Sequence, residues 1–168
     1  MINVAFFYLF VTKIIGLTIK DFTHNTNMNN KQFYSNLIEM YLKAPVNKAF
    51  DPSLTIEDKK SYLEIEVNKN YFHAAHYVHG AILFKLLDDS AYFAAQSIEH
   101  TNFIVTATFN SHFIRPVNKG TLRAEGNVIT QTKSRIISKS AVFNQQSKLI
   151  AYATGVFMPS SSRLDEIF

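Results

Sequence analysis

The spacing of apolar residues changes period along the chain, and the change marks out the elements. Between residues 31 and 43, Phe33, Tyr34, Leu37, Ile38, Tyr41 and Leu42 recur at helical spacing. Ala44-Pro45 ends that pattern, because the residue before a proline is pushed out of the α region. The spacing thus predicts one amphipathic helix over 31–43. Residues 54–56 and 61–67 read as short strands; in the second, Tyr62, Glu64 and Glu66 alternate with Leu63, Ile65 and Val67, as a half-buried hairpin strand requires. Residues 79–95 return to helical spacing, with Ile82, Leu83, Leu86, Leu87, Ala91 and Ala94 on one face. Beyond them, 102–114, 120–130, 135–143 and 149–158 are β-rich and separated by turn-forming residues at nearly even intervals, which predicts an antiparallel meander. A long helix followed by such strands implies an α+β fold: a curved antiparallel sheet wrapped around a central helix, with an extra helix on its N-terminal side.

The two ends stand apart from this pattern. Residues 1–19, MINVAFFYLFVTKIIGLTI, are apolar but short for a membrane span and lack the basic start and small-residue cleavage site of a signal peptide. An additional helix or an upstream start codon is favoured over a membrane anchor. The polar stretch DFTHNTNMNN reads as a linker, and Met28 within it is an alternative start. The expected organisation is an extension and linker over 1–27, a folded domain over 28–159 and a loose tail over 160–168. The length of 168 residues suits one core.

Charge and cysteine content narrow the chemistry. The formal charge of +4 comes from scattered Lys and Arg residues, so nucleic acid is not the expected partner; a ligand with a few phosphates needs only two or three cations. The absence of cysteine excludes disulfides, thiolate nucleophiles and cysteine-bound zinc, and it agrees with a reducing, cytoplasmic location. Reactive side chains are densest over 71–80, YFHAAHYVHG, which leads into the central helix. The first turn of a helix has unpaired N–H groups and a partial positive charge, so an amide near Gly80 can polarise a carbonyl oxygen. Asp88 and Asp89 lie further along the same helix. Lys85 stands four residues before Asp89 and three before Asp88, and Asp89 falls deep in the polar sector, whereas Asp88 lies at its edge beside Phe84, Ala91 and Ala95. Eight residues separate Gly80 from Asp88, roughly 12 Å along a helix, too far for both to address one carbonyl carbon. Two central helices packed antiparallel about a twofold axis would bring Asp88 of one chain to Gly80 of the other, with Ala81, Ala91 and Ala95 small enough to allow it.

These residues resemble the PaaI-like branch of the hotdog-fold acyl-CoA thioesterases. The resemblance rests on His79-Gly80-Ala81 followed by Asp88 within HGAILFKLLDDSAYFAA, on the strand FIVTATFNSHFIRPV, and on Gly120 and Gly126, and it runs from about residue 31 to 158. It implies a homodimer, with pairing into a tetramer left open, that hydrolyses acyl-CoA without a metal or other cofactor. In such enzymes the aspartate acts as general base or nucleophile, a role that falls to Asp88, and the glycine amide that polarises the thioester falls to Gly80. His79 would orient the loop, and Thr106 stands where some members carry a serine that holds the water. Two positions depart from the family. Ala81 replaces a second glycine and so reshapes the acyl pocket, and His73 stands where an asparagine is usual, to take over the positioning of water or to mark a different chemistry. A non-catalytic acyl-CoA- or lipid-binding protein is the alternative that His73 supports.

Other residues invite competing readings. His73, His76 and His79 form a His-x-x-His-x-x-His series that suggests zinc, although three imidazoles at that spacing converge only in a helical turn or a special loop. Strict alternation would put His112 on one strand face with Thr106, Thr108 and Asn110. Lys119, Arg123, Lys133, Arg135 and Lys139 are candidate contacts for CoA phosphates, with Arg115 beside Pro116 the first to test; Ala81, Arg115 and Lys133 are the expected substrate-binding residues. Acyl chain length, and whether the acyl group is aliphatic or aromatic, are set by pocket shape and are not legible in the sequence.

Overall fold

The computed structural model describes residues 19–168, with side chains from residue 29 onward. The chain divides into two compact units, residues 1–35 and 36–168. The apolar run over 1–18 lies outside the described residues. Helix α1 spans Ile19–Lys43, so the polar stretch expected to be a linker is helical. Its polar side chains do not break the helix because none is proline or glycine. Its end follows from Pro45: Ala44 takes φ −61° and ψ 127°, and the carbonyl of Tyr41 is satisfied by the Ala44 N–H at 3.2 Å and Asn47 Nδ2 at 2.7 Å.

Within the larger unit, strands β1 (Ser53–Glu57) and β2 (Lys60–Glu66) form the hairpin, and helix α2 (Gly80–Gln96) follows a short loop. Strands β3 (Asn102–Phe113), β4 (Thr121–Gln131), β5 (Ile136–Asn144) and β6 (Leu149–Arg163) complete the sheet. All pairings are antiparallel, in the order β1-β2-β4-β5-β6-β3. The expected meander therefore holds for β4, β5 and β6 but not for β3. After Phe113 the chain crosses over to start β4 beside β2, and the crossing is pinned by buried Val117, whose carbonyl accepts the Val78 N–H at 2.9 Å. Spacing along a sequence sets strands, not the order in which they pair.

The core lies between α2 and the concave face of the sheet. Leu83, Leu86, Leu87, Ala91 and Ala94 on the helix, with Leu63, Leu122, Ala124, Val142, Ile150 and Phe157 on the strands, are all buried. Helix and sheet approach unusually closely at Gly126, where an added Cβ would sit 1.9 Å from the carbonyl oxygen of Ser90. That carbonyl also accepts a hydrogen bond from Ser61 Oγ at 2.5 Å. Ser90 Oγ donates to the Leu86 carbonyl one turn back, so the hydroxyl is satisfied within the helix.

The end of the chain corrects an expectation. Residues 160–168 are not a loose tail: β6 continues to Arg163, and a 3-10 turn follows over Leu164–Glu166. Leu164 is 1% exposed and its N–H donates to the Thr101 carbonyl. A single well-buried leucine anchors a serine-rich stretch whose composition alone reads as loop.

Candidate active site

The loop before α2 is built from its own hydrogen bonds. Phe72 and Val78 form an isolated antiparallel bridge, the His73 N–H donates to the Tyr77 carbonyl, and His76 adopts φ 63° to turn the chain between them. His73 Nδ1 accepts from the Ala75 N–H at 3.0 Å. His79 is the N-cap of α2, with Nδ1 accepting from the Ala81 N–H at 3.0 Å, while its carbonyl takes the Ile82 N–H. Two of the first-turn amides are thereby used. Among the described residues the Gly80 N–H has no acceptor. His73 and His79 approach to 6.3 Å between ring centroids, yet no group of three His, Asp or Glu side chains among the described residues is placed to hold a metal ion.

Gly80 lines a cleft of about 290 Å³. Gly80 and Leu83 of α2, His73 and Tyr77 of the loop, and Phe113 and Arg115 at the end of β3 line it. Arg115 is held there by Nη1 donating to the Leu149 carbonyl at 2.6 Å, which leaves its other N–H groups free of that bond. Thus His73, Gly80 and Arg115, separated in sequence, meet in one cleft. Ala81 is exposed beside it, and Lys133 stands in the exposed β4–β5 turn, away from the cleft lining.

Asp88 lies elsewhere, two turns along α2. Its Oδ1 accepts a hydrogen bond from Thr106 Oγ1 on β3 at 3.1 Å. Burial pushes the Asp88 carboxyl above the usual carboxylate range; the Thr106 hydroxyl opposes that shift, Asp89 adds to it and Lys85 opposes it. Phe84, one turn earlier, meets Phe109 edge to face at 5.2 Å, and Tyr92, one turn later, packs against Phe103 and Phe157. Asp89 has a different fate. Lys85 Nζ is 2.6 Å from its Oδ2, and Tyr41 donates to the same oxygen at 2.7 Å, tying α1 to α2. Asp89, placed in the polar sector by helical spacing, is in fact mostly covered, and its charge is taken up by structure. Of the two aspartates, Asp88 alone has a carboxylate with no cation bound to it.

Strand β3 carries the correction that matters most for the site. Thr106 pairs with Phe157 and Thr108 with Val156, so Ala107 is an extra residue, a β-bulge. A one-residue insertion reverses which side chains face the helix. Before it, Ile104 and Thr106 face α2; after it, Phe109, Ser111 and Phe113 do. Thr108, Asn110 and His112 consequently point to the opposite face, where His112 stacks on Tyr152 at 4.7 Å. His112 does not share a face with Thr106 and does not line the cleft. Phe113, which period-two reading puts on the wrong side, does.

Comparisons with known proteins agree with this layout. Residues 75–151 match the family model described as Thioesterase superfamily, a stretch that includes α2, β3, β4 and β5. A Saccharolobus solfataricus protein named for a proposed esterase activity is 23% identical over 103 residues, which are 61% of this chain and 69% of that protein. The E. coli PaaI protein from the phenylacetic acid degradation operon is similar in structure at a TM-score of 0.73 and 22% identity, over 80% of this chain and 97% of that one. A thioesterase of Haemophilus influenzae is similar at a TM-score of 0.67 and 14% identity, over 74% of this chain and 88% of that one. The sheet wrapped around α2 is the hotdog fold.

Proposed function

We propose, from the match of residues 75–151 to the thioesterase superfamily model, that the chain is a thioester hydrolase that splits acyl-CoA into a carboxylic acid and CoA. The observation that carries the proposal is the pairing, on one helix, of a half-buried carboxylate bound by a hydroxyl and an N-terminal amide with no acceptor. Asp88 takes a proton from water, whose oxygen attacks the thioester carbonyl carbon. The electron pair of the C=O moves onto oxygen, stabilised by the Gly80 N–H, and collapse of that oxyanion expels the CoA thiolate, which is then protonated. Direct attack by the Asp88 carboxylate, followed by hydrolysis of the anhydride, is the variant of the same chemistry.

Both groups cannot come from one chain, since eight residues of helix hold them roughly 12 Å apart. The working unit is therefore a homodimer, in which Asp88 of one protomer faces the partner subunit's Gly80. The surface fits this arrangement: among the described residues β3 pairs only with β6, which leaves its outer edge uncovered by them, and Val105 on it and Phe84 beside it are 45% and 40% exposed. Thr106 holds Asp88, while His73 and Arg115 border the thioester and the phosphate-bearing arm. Lys133, at the far end of the sheet, is assigned to a CoA phosphate.

Release of free CoA thiol from acyl-CoA tests this. Asp88→Asn should lower kcat by about 10²-fold or more. Gly80→Pro is the companion variant: proline suits the first helical position, His79 at φ −65° and ψ 141° already has the conformation that precedes proline, and only the N–H is lost. A loss of about 10²-fold is expected there as well. Undiminished turnover in Asp88→Asn would sink the mechanism; acyl-CoA binding without any thiol release in the unaltered protein would favour a non-catalytic acyl-CoA-binding role.

A further inference from the structure

Phe113 packs beside Gly80, whose N–H has no acceptor among the described residues. Its Cε2 and Cζ lie 3.8 Å from where a Cβ on Gly80 would be, so the ring is in van der Waals reach of the glycine and walls the cleft on the sheet side. It is half exposed, at 51%, on the last residue of β3. The Ala107 bulge is what turns it inward; with unbroken alternation His112, which stacks on Tyr152 of β6 on the opposite face, would stand in its place.

The cleft lining combines polar His73 and Arg115 with the apolar surfaces of Tyr77, Leu83, Ile114 and Phe113. An engineered protein cavity of about 150 Å³ holds benzene. The volume of about 290 Å³ here is roughly twice that, space for one aromatic ring with a short linker or for a medium acyl chain. From this geometry we infer that Phe113 is a specificity-determining residue, whose ring closes the acyl-binding cleft beside Gly80 and limits the acyl group to aryl and short-to-medium chains. The inference rests on the acyl-CoA reading above and adds to it the occupant of this cleft: the acyl group, not the pantetheine arm. A hydrophobic pocket gains about 10-fold or more in affinity for each methylene it can bury, and stops gaining where its wall is met.

The test uses the full-length protein and non-hydrolysable acyl-CoA thioethers of increasing chain length, a phenylacetyl analogue and CoA itself, with dissociation constants measured by calorimetry. In the unaltered protein affinity should rise with chain length, reach an optimum and fall. Phe113→Ala should move the optimum to chains longer by about two to four carbons and weaken the phenylacetyl analogue by about 10-fold, with CoA itself unchanged. Phe113→Leu, which keeps an apolar side chain on the strand, should fall between. Thiol release on the matching thioesters should move in step. Equal affinity changes across the whole series, CoA included, would assign Phe113 to the pantetheine arm and overturn the inference. An unmoved optimum in both variants, with thiol release intact, would overturn it while leaving the hydrolase reading standing. If the unaltered protein binds none of the thioethers, the inference and the reading beneath it fall together.

Discussion

At the scale of single residues, the site turns on how Asp88 differs from its neighbour. Asp89 is neutralised by Lys85 and Tyr41; Asp88 is left with one neutral hydroxyl and a partly apolar setting. Burial raises its pKa, so the acidic limb of kcat/KM should lie above the ordinary carboxylate range: activity is full above that raised pKa and lost as pH falls through it. The Thr106 hydrogen bond favours the ionised form. Removing it in Thr106→Val should therefore move the limb to still higher pH, while Thr106→Ser should leave it in place, as a pH–rate profile of the three proteins will read directly. A limb that does not move in Thr106→Val would mean that another group sets it. The sequence singled out Asp88 because its position on the helical wheel was the harder of the two to explain. It did not reveal that Lys85 chooses Asp89, because both spacings suit a helical ion pair.

At the scale of elements, α2 is placed by its contacts with small residues in the sheet. Gly126 allows the Ser90 carbonyl to approach β4, and Ser61 binds that same carbonyl. Gly126→Ala would drive a methyl group to 1.9 Å from that oxygen, against backbone that cannot swing aside. Overpacking of this kind costs about 1–3 kcal/mol or more, so a fall in Tm of about 5 °C or more is expected by thermal denaturation. A Tm within about 1 °C of the unaltered protein would show that helix and sheet have slack there. The existence of α2, of the β1–β2 hairpin and of the later strands was legible, since each keeps one period over its length. The bulge at Ala107 was not. Nothing in TATFN marks an extra residue, and one such residue exchanges His112 for Phe113 at the cleft.

At the scale of the whole molecule, the proposal of a site shared between subunits makes a quantitative prediction. A protomer with Asp88→Asn paired with one carrying Gly80→Pro holds both lesions in one site and neither in the other. Equal mixing of two inactive variants, with exchange of subunits, gives half mixed dimers with one intact site of two, and so about a quarter of the full activity. No recovery after verified exchange would place both groups in the same subunit. The strand order β1-β2-β4-β5-β6-β3 has its own outcome, one that local spacing could not foretell. Because among the described residues β3 is hydrogen-bonded only to β6, the strand that bears Thr106 and Phe113 leaves the ribosome before its strand partner and waits until the stretch from Leu149 has been made. At about 5–20 residues per second that delay is a matter of seconds. During biosynthesis the half of the sheet that carries Thr106 and Phe113 is thus the final part to close, and a nascent chain stalled before β6 would expose a ribbon without its strand partner to chaperones and to other copies of itself.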